Sequence, residues 1–275
     1  MADFSRERDR MVRLHLARRG VGDPHVLEAM RRVPREAFVP KGLEEFAYDD
    51  SPLPIGEGQT ISQPYIVALM IEAAEIEPGD RVLEIGAGSG YAAAVMSRIA
   101  DRVYTIERQA ALAQEARRRL ADLGYDNVEV IEGDGTRGWA QAAPYDAIVV
   151  AAGGPAIPKP LRDQLAVGGR LVIPVGESPR SQRLIAVTRS SETECREEDL
   201  GEVRFVPLLG EHGWPDDPAR AERPARAGRP KAAARSRPIP ELIRQAAEHR
   251  LDCGYDQHRT LVSLLYQKGS AGSSH

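Results

Sequence analysis

Arg81-Val82-Leu83-Glu84-Ile85-Gly86-Ala87-Gly88-Ser89-Gly90-Tyr91 is the stretch that decides the fold. Five residues of strand character run into a glycine cluster, and an alanine-rich helical segment follows at once. A strand that ends in glycines and opens a helix brings main chain close to a ligand. The helix start then offers free N–H donors and the positive end of its dipole. Glycine is needed because a Cβ would block that approach and because such turns often require positive φ. Downstream the same alternation recurs. A helix over 89–100 leads to a strand over 102–106, and a helix over 109–123 stops at Gly124. Strands are then expected over 128–131, 145–151, 170–175, 184–188 and 203–208, with a short helix from Pro160. The 145–151 run is apolar on both faces, as in a covered parallel sheet. Strands alternating with helices predict an α/β fold with a doubly wound sheet.

The glycine spacing narrows the ligand. Dinucleotide sites read G-x-G-x-x-G. Gly86, Gly88 and Gly90 read G-x-G-x-G, with Glu84 two positions ahead. The segment VLEIGAGSGY resembles motif I of the Rossmann-like methyltransferases that bind S-adenosylmethionine. That cofactor carries no pyrophosphate, so the turn would cradle an amino-acid portion and a ribose. Glu107 ends the second strand, 21 positions after Gly86, where a doubly wound fold presents an acid to a ribose. Arg108 beside it offers an alternative, a surface ion pair with Glu107. Asp134 follows the third strand, on the same edge of the sheet. It could accept from an adenine amino group with Gly135 admitting the ring, or serve only as an Asp-Gly turn.

Composition bounds the rest. The 275 residues allow one large α/β domain or one with an appendage, and 42% hydrophobic content suffices for a core. Net charge is 37 minus 41, or −4, which gives no reason to expect nucleic acid. Cys195 and Cys253 are far apart and form no redox or metal spacing, in keeping with a reducing cytoplasm. The start MADFSRERDR is charged, with no secretory apolar core, and no apolar run approaches the ~20 residues of a bilayer span. A soluble, cytoplasmic protein, monomeric and without membrane contact, is expected.

Ahead of the hub, a helix is expected over 5–19 with Met11, Leu14, Leu16 and Ala17 inward and Gly20 as C-cap. Asp23-Pro24 reads as N-cap and first turn of a second helix. The proline-bounded run 34–40 cannot be helical throughout, and Phe38 and Val39 read as packing residues. Residues 51–58 read as a loop, delivering the chain to Gln59-Thr60-Ile61-Ser62-Gln63-Pro64-Tyr65 and a helix from Pro64 to about Ala74. Residues 1–75 thus form a helical cap carrying the substrate segment, and 76–214 the Rossmann-like core. Residues 215–238 form a Pro/Ala/Arg-rich linker, with seven basic residues against three acidic (Asp216, Asp217, Glu222). Residues 239–275 form a short helical extension with a disordered tail.

In this order PREAFVP, GQTISQPYIVALM, VLEIGAGSGY, YDAIVVAAGG and LAVGGRLVIPVG resemble the protein-L-isoaspartate O-methyltransferase family over about residues 8–210. The TISQP stretch is the most specific part. The resemblance implies methyl transfer from S-adenosyl-L-methionine to the carboxylate of an isoaspartyl residue in a damaged protein or peptide, leaving S-adenosyl-L-homocysteine. The ester then closes to a succinimide, whose hydrolysis returns some normal aspartyl. It places the active-site serine on Ser62 with Thr60 beside it, and Gln59 and Gln63 at the substrate. The implied cofactor site comprises Glu84, Gly86, Ala87, Gly88, Ser89, Gly90, Glu107, Arg108, Asp134 and Gly135, with no metal.

The chemistry fits what the chain lacks. A carboxylate with pKa near 4 is already an anionic nucleophile at neutral pH, so no general base is needed. Catalysis is then alignment, which can supply an effective molarity on the order of 10⁵ M or more. Ser62 would donate a hydrogen bond that fixes the carboxylate, or alternatively cap the helix that follows. The six histidines are scattered and are assigned no function, and Tyr91 reads as packing. Two other readings compete. Relatives of the family convert a normal aspartate of one ribosomally made peptide to aspartimide, and the region after Trp214 could recruit such a peptide. A nucleotide-responsive binding module, or an NAD oxidoreductase, is opposed by the TISQP stretch and by the glycine spacing.

Overall fold

The computed structural model describes residues 3–178 and 181–215; the expected linker from 216 and the extension over 239–275 lie outside them. Helix α1 (Ser5–Met11) continues as a π-helical turn over Val12–Leu16 and a 3₁₀ turn over Ala17–Arg19, closed by Gly20 at φ 101°. The wide turn has a consequence for packing. Met11 and Leu16, five residues apart, are both buried, whereas Ala17 is exposed. Helix α2 (Pro24–Arg32) starts as its sequence predicts: the Asp23 carboxylate accepts from the His25 and Val26 N–H groups at 2.7 and 3.2 Å. Residues 34–40 contain one 3₁₀ turn, Arg35–Phe38, and Phe38 and Val39 are buried.

Residues 51–58 are not simply a loop. Strands β1 (Leu53–Gly56) and β2 (Gln59–Ile61) form a hairpin, pairing Leu53 with Ile61. Its two-residue turn, Glu57-Gly58, has φ of 49° and 68°, the left-handed pair that matches strand twist. Helix α3 (Pro64–Ala73) follows, with Gln63 at its N-cap.

The large sheet then builds in order. Strands β3 (Arg81–Ile85), β4 (Arg102–Glu107), β5 (Val128–Glu132), β6 (Tyr145–Val150) and β7 (Leu165–Ser178) run parallel. Strands β8 (Ser181–Arg189) and β9 (Cys195–Val203) add antiparallel to their neighbours, giving the order β5-β4-β3-β6-β7-β8-β9. The direction of winding reverses at β3, so a crevice opens beyond the C-terminal ends of β3 and its neighbours. Helix α4 (Tyr91–Met96) and helix α5 (Ala110–Asp122) cover β4, while helix α6 (Lys159–Asp163) packs on β7. Leu83, Ile148, Val150, Leu171 and Ile173 are completely buried between strands and helices. Each such side chain contributes about 1.5–3 kcal/mol by leaving water.

The last expected strand is displaced. The chain pairs at the edge over Cys195–Val203, a segment rich in charge and largely exposed. Residues 205–209 instead run past Gly153. The Gly153 N–H donates to the Val206 carbonyl and the Leu208 N–H to the Gly153 carbonyl, both at 2.8 Å. Buried Gln182 fastens the start of this run: it accepts from the Phe205 N–H at 2.8 Å and donates back to the Phe205 carbonyl at 3.2 Å. Among the described residues, no helix is long and apolar enough to cross a membrane.

Candidate active site

The crevice at the head of the sheet is one continuous pocket, and the hairpin is its roof. At Gly88 a Cβ would come within 3.1 Å of Ile55 Cδ1, so β1 sits directly over the glycine turn. Gln59, Thr60 and Ser62 therefore line the same pocket as Glu84, Gly86, Ala87, Gly88, Ser89, Glu107, Arg108 and Gly135. Residues separated by twenty or more positions in the chain are brought together by the switch in strand order.

The glycine turn works by absence of side chain more than by free donors. Gly86, Gly88 and Gly90 have φ of 96°, 53° and 87°. The N–H groups of Gly86 and Ala87 donate to the Ile106 carbonyl at 2.8 and 3.2 Å, and that of Gly90 to Ala87. The Gly88 N–H donates to Glu107 Oε2 at 2.9 Å. These donors are spent within the protein, so the expectation of a row of free N–H groups at this turn does not hold there. Gly90 itself is not in the lining. It caps α4 and faces α5, where a Cβ would lie 3.1 Å from Leu120 Cδ1.

Glu107, buried at the end of β4, is braced on both oxygens, its Oε1 accepting from the Gln109 N–H at 2.9 Å. Each oxygen keeps a second lone pair that can face a ligand. Glu84 lies deeper, 1% exposed, and accepts from the Thr105 hydroxyl. Burial pushes its carboxyl up to about 8, the Thr105 bond opposes that shift, and the negative charge of Glu107 adds to it. Burial thus favours the protonated form of Glu84, while Glu107 is placed to serve as the pocket's acceptor.

Asp134 and Gln63 are not in the lining. Asp134 Oδ1 accepts from the Thr136 N–H and hydroxyl at 2.9 and 2.7 Å, and Oδ2 from the Glu211 N–H at 2.8 Å. Burial works against its ionisation, but these bonds outweigh it and hold the carboxyl below its ordinary range. The carboxylate assigned to adenine thus latches the run that ends at Trp214, whose indole N–H donates to the Gly153 carbonyl at 2.9 Å. The Gln63 amide donates to Asp50 Oδ2 at 2.7 Å, away from the pocket.

Gly135 does line the pocket, and its reason is close approach: a Cβ there would overlap Ile85 Cγ2. Gly135→Ala is expected to displace Ile85, lower stability by about 1–3 kcal/mol and weaken cofactor binding with it. Urea denaturation alongside calorimetry with S-adenosylhomocysteine measures both effects. Unchanged values would show that the site yields easily.

Ser62 is free of the capping role. Gln63 is the N-cap of α3 and makes no side-chain cap bond. Asp50 accepts from the Tyr65 N–H at 3.3 Å in its place. Among the described residues, the Ser62 hydroxyl has no hydrogen-bond partner, and Thr60, at the exposed middle of β2, faces the same opening. The sequence reading missed several parts of the wall. Val67, Met70 and Ile71 of α3, and Phe205 to Leu209, are apolar lining; Tyr91, read as packing, is both buried and in the lining. Nothing local marks them, since only the fold turns them to the pocket. Among the described residues, no group of His, Cys, Asp and Glu has metal-site geometry.

A family model for protein-L-isoaspartate(D-aspartate) O-methyltransferase matches residues 6–213. A protein-L-isoaspartate O-methyltransferase 1 of Rhodopseudomonas palustris is 62% identical over 211 residues, 77% of this chain and 86% of the relative. A protein-L-isoaspartate O-methyltransferase 2 of Pelobacter propionicus is 64% identical over 207 residues, 75% of this chain and 92% of the relative. A solved protein-L-isoaspartate O-methyltransferase superposes with TM-score 0.69 at 33% identity, covering 75% of this chain and 67% of the other. A Plasmodium falciparum chain assigned to the same activity, solved with S-adenosyl-L-homocysteine, gives TM-score 0.64 at 27% identity over 74% of this chain and 98% of its own.

Proposed function

The chain belongs to the protein-L-isoaspartate(D-aspartate) O-methyltransferase family, and from that premise we propose how its pocket performs carboxyl methylation of L-isoaspartyl residues in damaged proteins and peptides. The observation that carries the reading is the hairpin seated on the glycine turn, which places Ser62 and Glu107 in one pocket. The residues present fit S-adenosyl-L-methionine. Glu107 offers two acceptors for ribose hydroxyls, Ile85 and Ile106 offer apolar lining, and the missing side chains at Gly86, Gly88 and Gly135 leave room. When bound, the cofactor supplies a methyl group on a sulfonium, an electrophile that needs no further activation.

The protein's own part is positional. An isoaspartyl side chain is ionised at neutral pH, so no residue has to remove a proton. Ser62 and Thr60 donate hydrogen bonds that fix its carboxylate, with Gln59 beside them and Gln63 acting at one remove through Asp50. Apolar side chains of α3 and residues 205–209 exclude water around the reacting pair. Arg108 joins Glu107 on the cofactor side, and Asp134 acts there by holding Gly135. Residues 1–75 serve as the cap and 76–214 as the core. A cytoplasmic, monomeric enzyme is part of the same proposal, supported by sparse cysteines and a modest net charge. The aspartimide alternative rests on residues outside the described ones, and no observation favours it.

The decisive assay offers the chain an isoaspartyl peptide and its normal aspartyl twin with S-adenosylmethionine. Base-labile methyl esters are expected on the first alone. Equal methylation of both would refute the repair reading.

A further inference from the structure

Arg35 is a buried charge that the methyl-transfer chemistry leaves unused. Its side chain is 0% exposed. Nε donates to the Ala47 carbonyl and Nη2 to the Ser62 carbonyl, both at 2.7 Å. Nη1 is buried with no hydrogen-bond partner. The guanidinium carbon stands 4.7 Å from the centre of the Tyr91 ring, and Tyr91 lines the pocket. Arg35 therefore touches the substrate segment at the Ser62 carbonyl and stands behind Tyr91, one residue's thickness from the pocket.

A clamp on two carbonyls does not require a charge; a neutral amide could make either bond. Burying a guanidinium is costly unless an anion compensates it, and arginine does not shed its proton at accessible pH. Among the described residues, Arg35 makes no ion pair. The groups that face it electrostatically are Tyr91 and Tyr48, both uncharged, and Asp50, which already pairs with Arg19 and takes the Gln63 amide. Among the described residues, the acidic groups lining the pocket near the glycine turn are Glu107 and the more deeply buried Glu84. A carboxylate seated on Ser62 would give Arg35 the counter-charge that it lacks among the described residues.

We propose that Arg35 is a positioning residue for the substrate carboxylate: from behind the pocket wall it fixes the Ser62 main chain and supplies the positive potential that favours an acidic side chain over its neutral amide. This rests on the isoaspartyl reading of the pocket.

The test compares two peptides, one isoaspartyl and one isoasparaginyl at the same position, each titrated into protein saturated with S-adenosylhomocysteine. Wild type prefers the acid. Arg35→Gln keeps a donor for the Ser62 carbonyl but no charge, and the preference falls by about tenfold. Arg35→Lys keeps the charge without the fork; it weakens both peptides and holds their ratio within about threefold. Arg35→Met, an apolar replacement of similar length, stands in if Arg35→Gln does not fold. The affinity for S-adenosylhomocysteine alone checks that each pocket is intact. An acid-to-amide ratio in both neutral variants equal to that of wild type overturns the proposal. Failure of the underlying reading looks different, since wild type itself would then neither methylate the isoaspartyl peptide nor prefer it.

Discussion

Glu107→Gln is expected to weaken binding of S-adenosylhomocysteine about a hundredfold while leaving kcat at saturating cofactor near that of wild type. The carboxylate is buried and already accepts from two main-chain donors, Gly88 and Gln109. Glutamine can replace one oxygen as acceptor, but its NH₂ must then point at one of those N–H groups. A buried donor facing a donor costs about 1–3 kcal/mol, and loss of a charged acceptor for a ribose hydroxyl costs about 1.5–3 kcal/mol. The donor clash is present with and without cofactor and lowers stability, so the loss of binding is the second figure, whose upper end, roughly 3 kcal/mol, corresponds to the hundredfold. The turn at Gly88 shifts as well, because Glu107 is what holds its N–H inward. The kcat is spared because Glu107 makes no hydrogen bond to Ser62 or Thr60, the proposed partners of the acceptor carboxylate. Calorimetry with S-adenosylhomocysteine decides the matter: an affinity within about threefold of wild type removes Glu107 from the cofactor site.

How far the site was legible follows from where its information lies in the chain. Strand β6 announces itself because both its faces are covered and it reads as a nearly unbroken apolar run, while β3 and β4 are marked by apolar residues beside charged ones and by the glycines and helices that follow. Glu107 was legible from spacing alone, since the end of the second strand has a fixed place beside the first. The hairpin β1–β2 was not. Its strands have four and three residues, one contains Pro54, and its turn is Glu-Gly in place of Asn-Gly. Strand β9 was misplaced for a related reason: an exposed edge strand buries neither face and leaves no hydrophobic period. Asp134 is harder to read because a carboxylate at that edge has two uses, facing a ligand or taking main-chain donors. The sequence does not show that the Glu211 N–H, 77 positions away, arrives to take it. Arg35 and Gln182 act through main-chain groups 27 and 23 positions distant, and no local pattern encodes such a bond. Local chemistry points to Gly86, Gly88 and Glu107 as pocket residues, while the wall opposite them depends on which distant carbonyls and amides meet.

That division bears on the acid the pocket keeps neutral. In the absence of cofactor, the stability of the wild-type protein is expected to fall as pH rises from about 4.5 towards about 8, and that of Glu84→Gln to fall less. The sign follows from proton counts. Below the ordinary value of 4.5 both folded and unfolded chains carry the Glu84 proton, and the full stability is present. Between 4.5 and about 8 the unfolded chain releases that proton while the folded one keeps it, because burial and the nearby charge of Glu107 penalise the anion by more than the Thr105 bond favours it. Unfolding then gains from each rise in pH, by up to about 1.4 kcal/mol per unit. Above about 8 both states have lost the proton, and the dependence levels off. Glutamine preserves shape and the Thr105 contact without a titrating proton, so the two stability curves diverge across this window by roughly 2–3 kcal/mol between pH 6 and 8. Urea denaturation of both proteins at pH 5.5, 6.5, 7.5 and 8.5 measures the divergence. Curves that run parallel would mean that Glu84 is ionised in the folded protein, and the pocket would then hold two negative charges where its packing accommodates one.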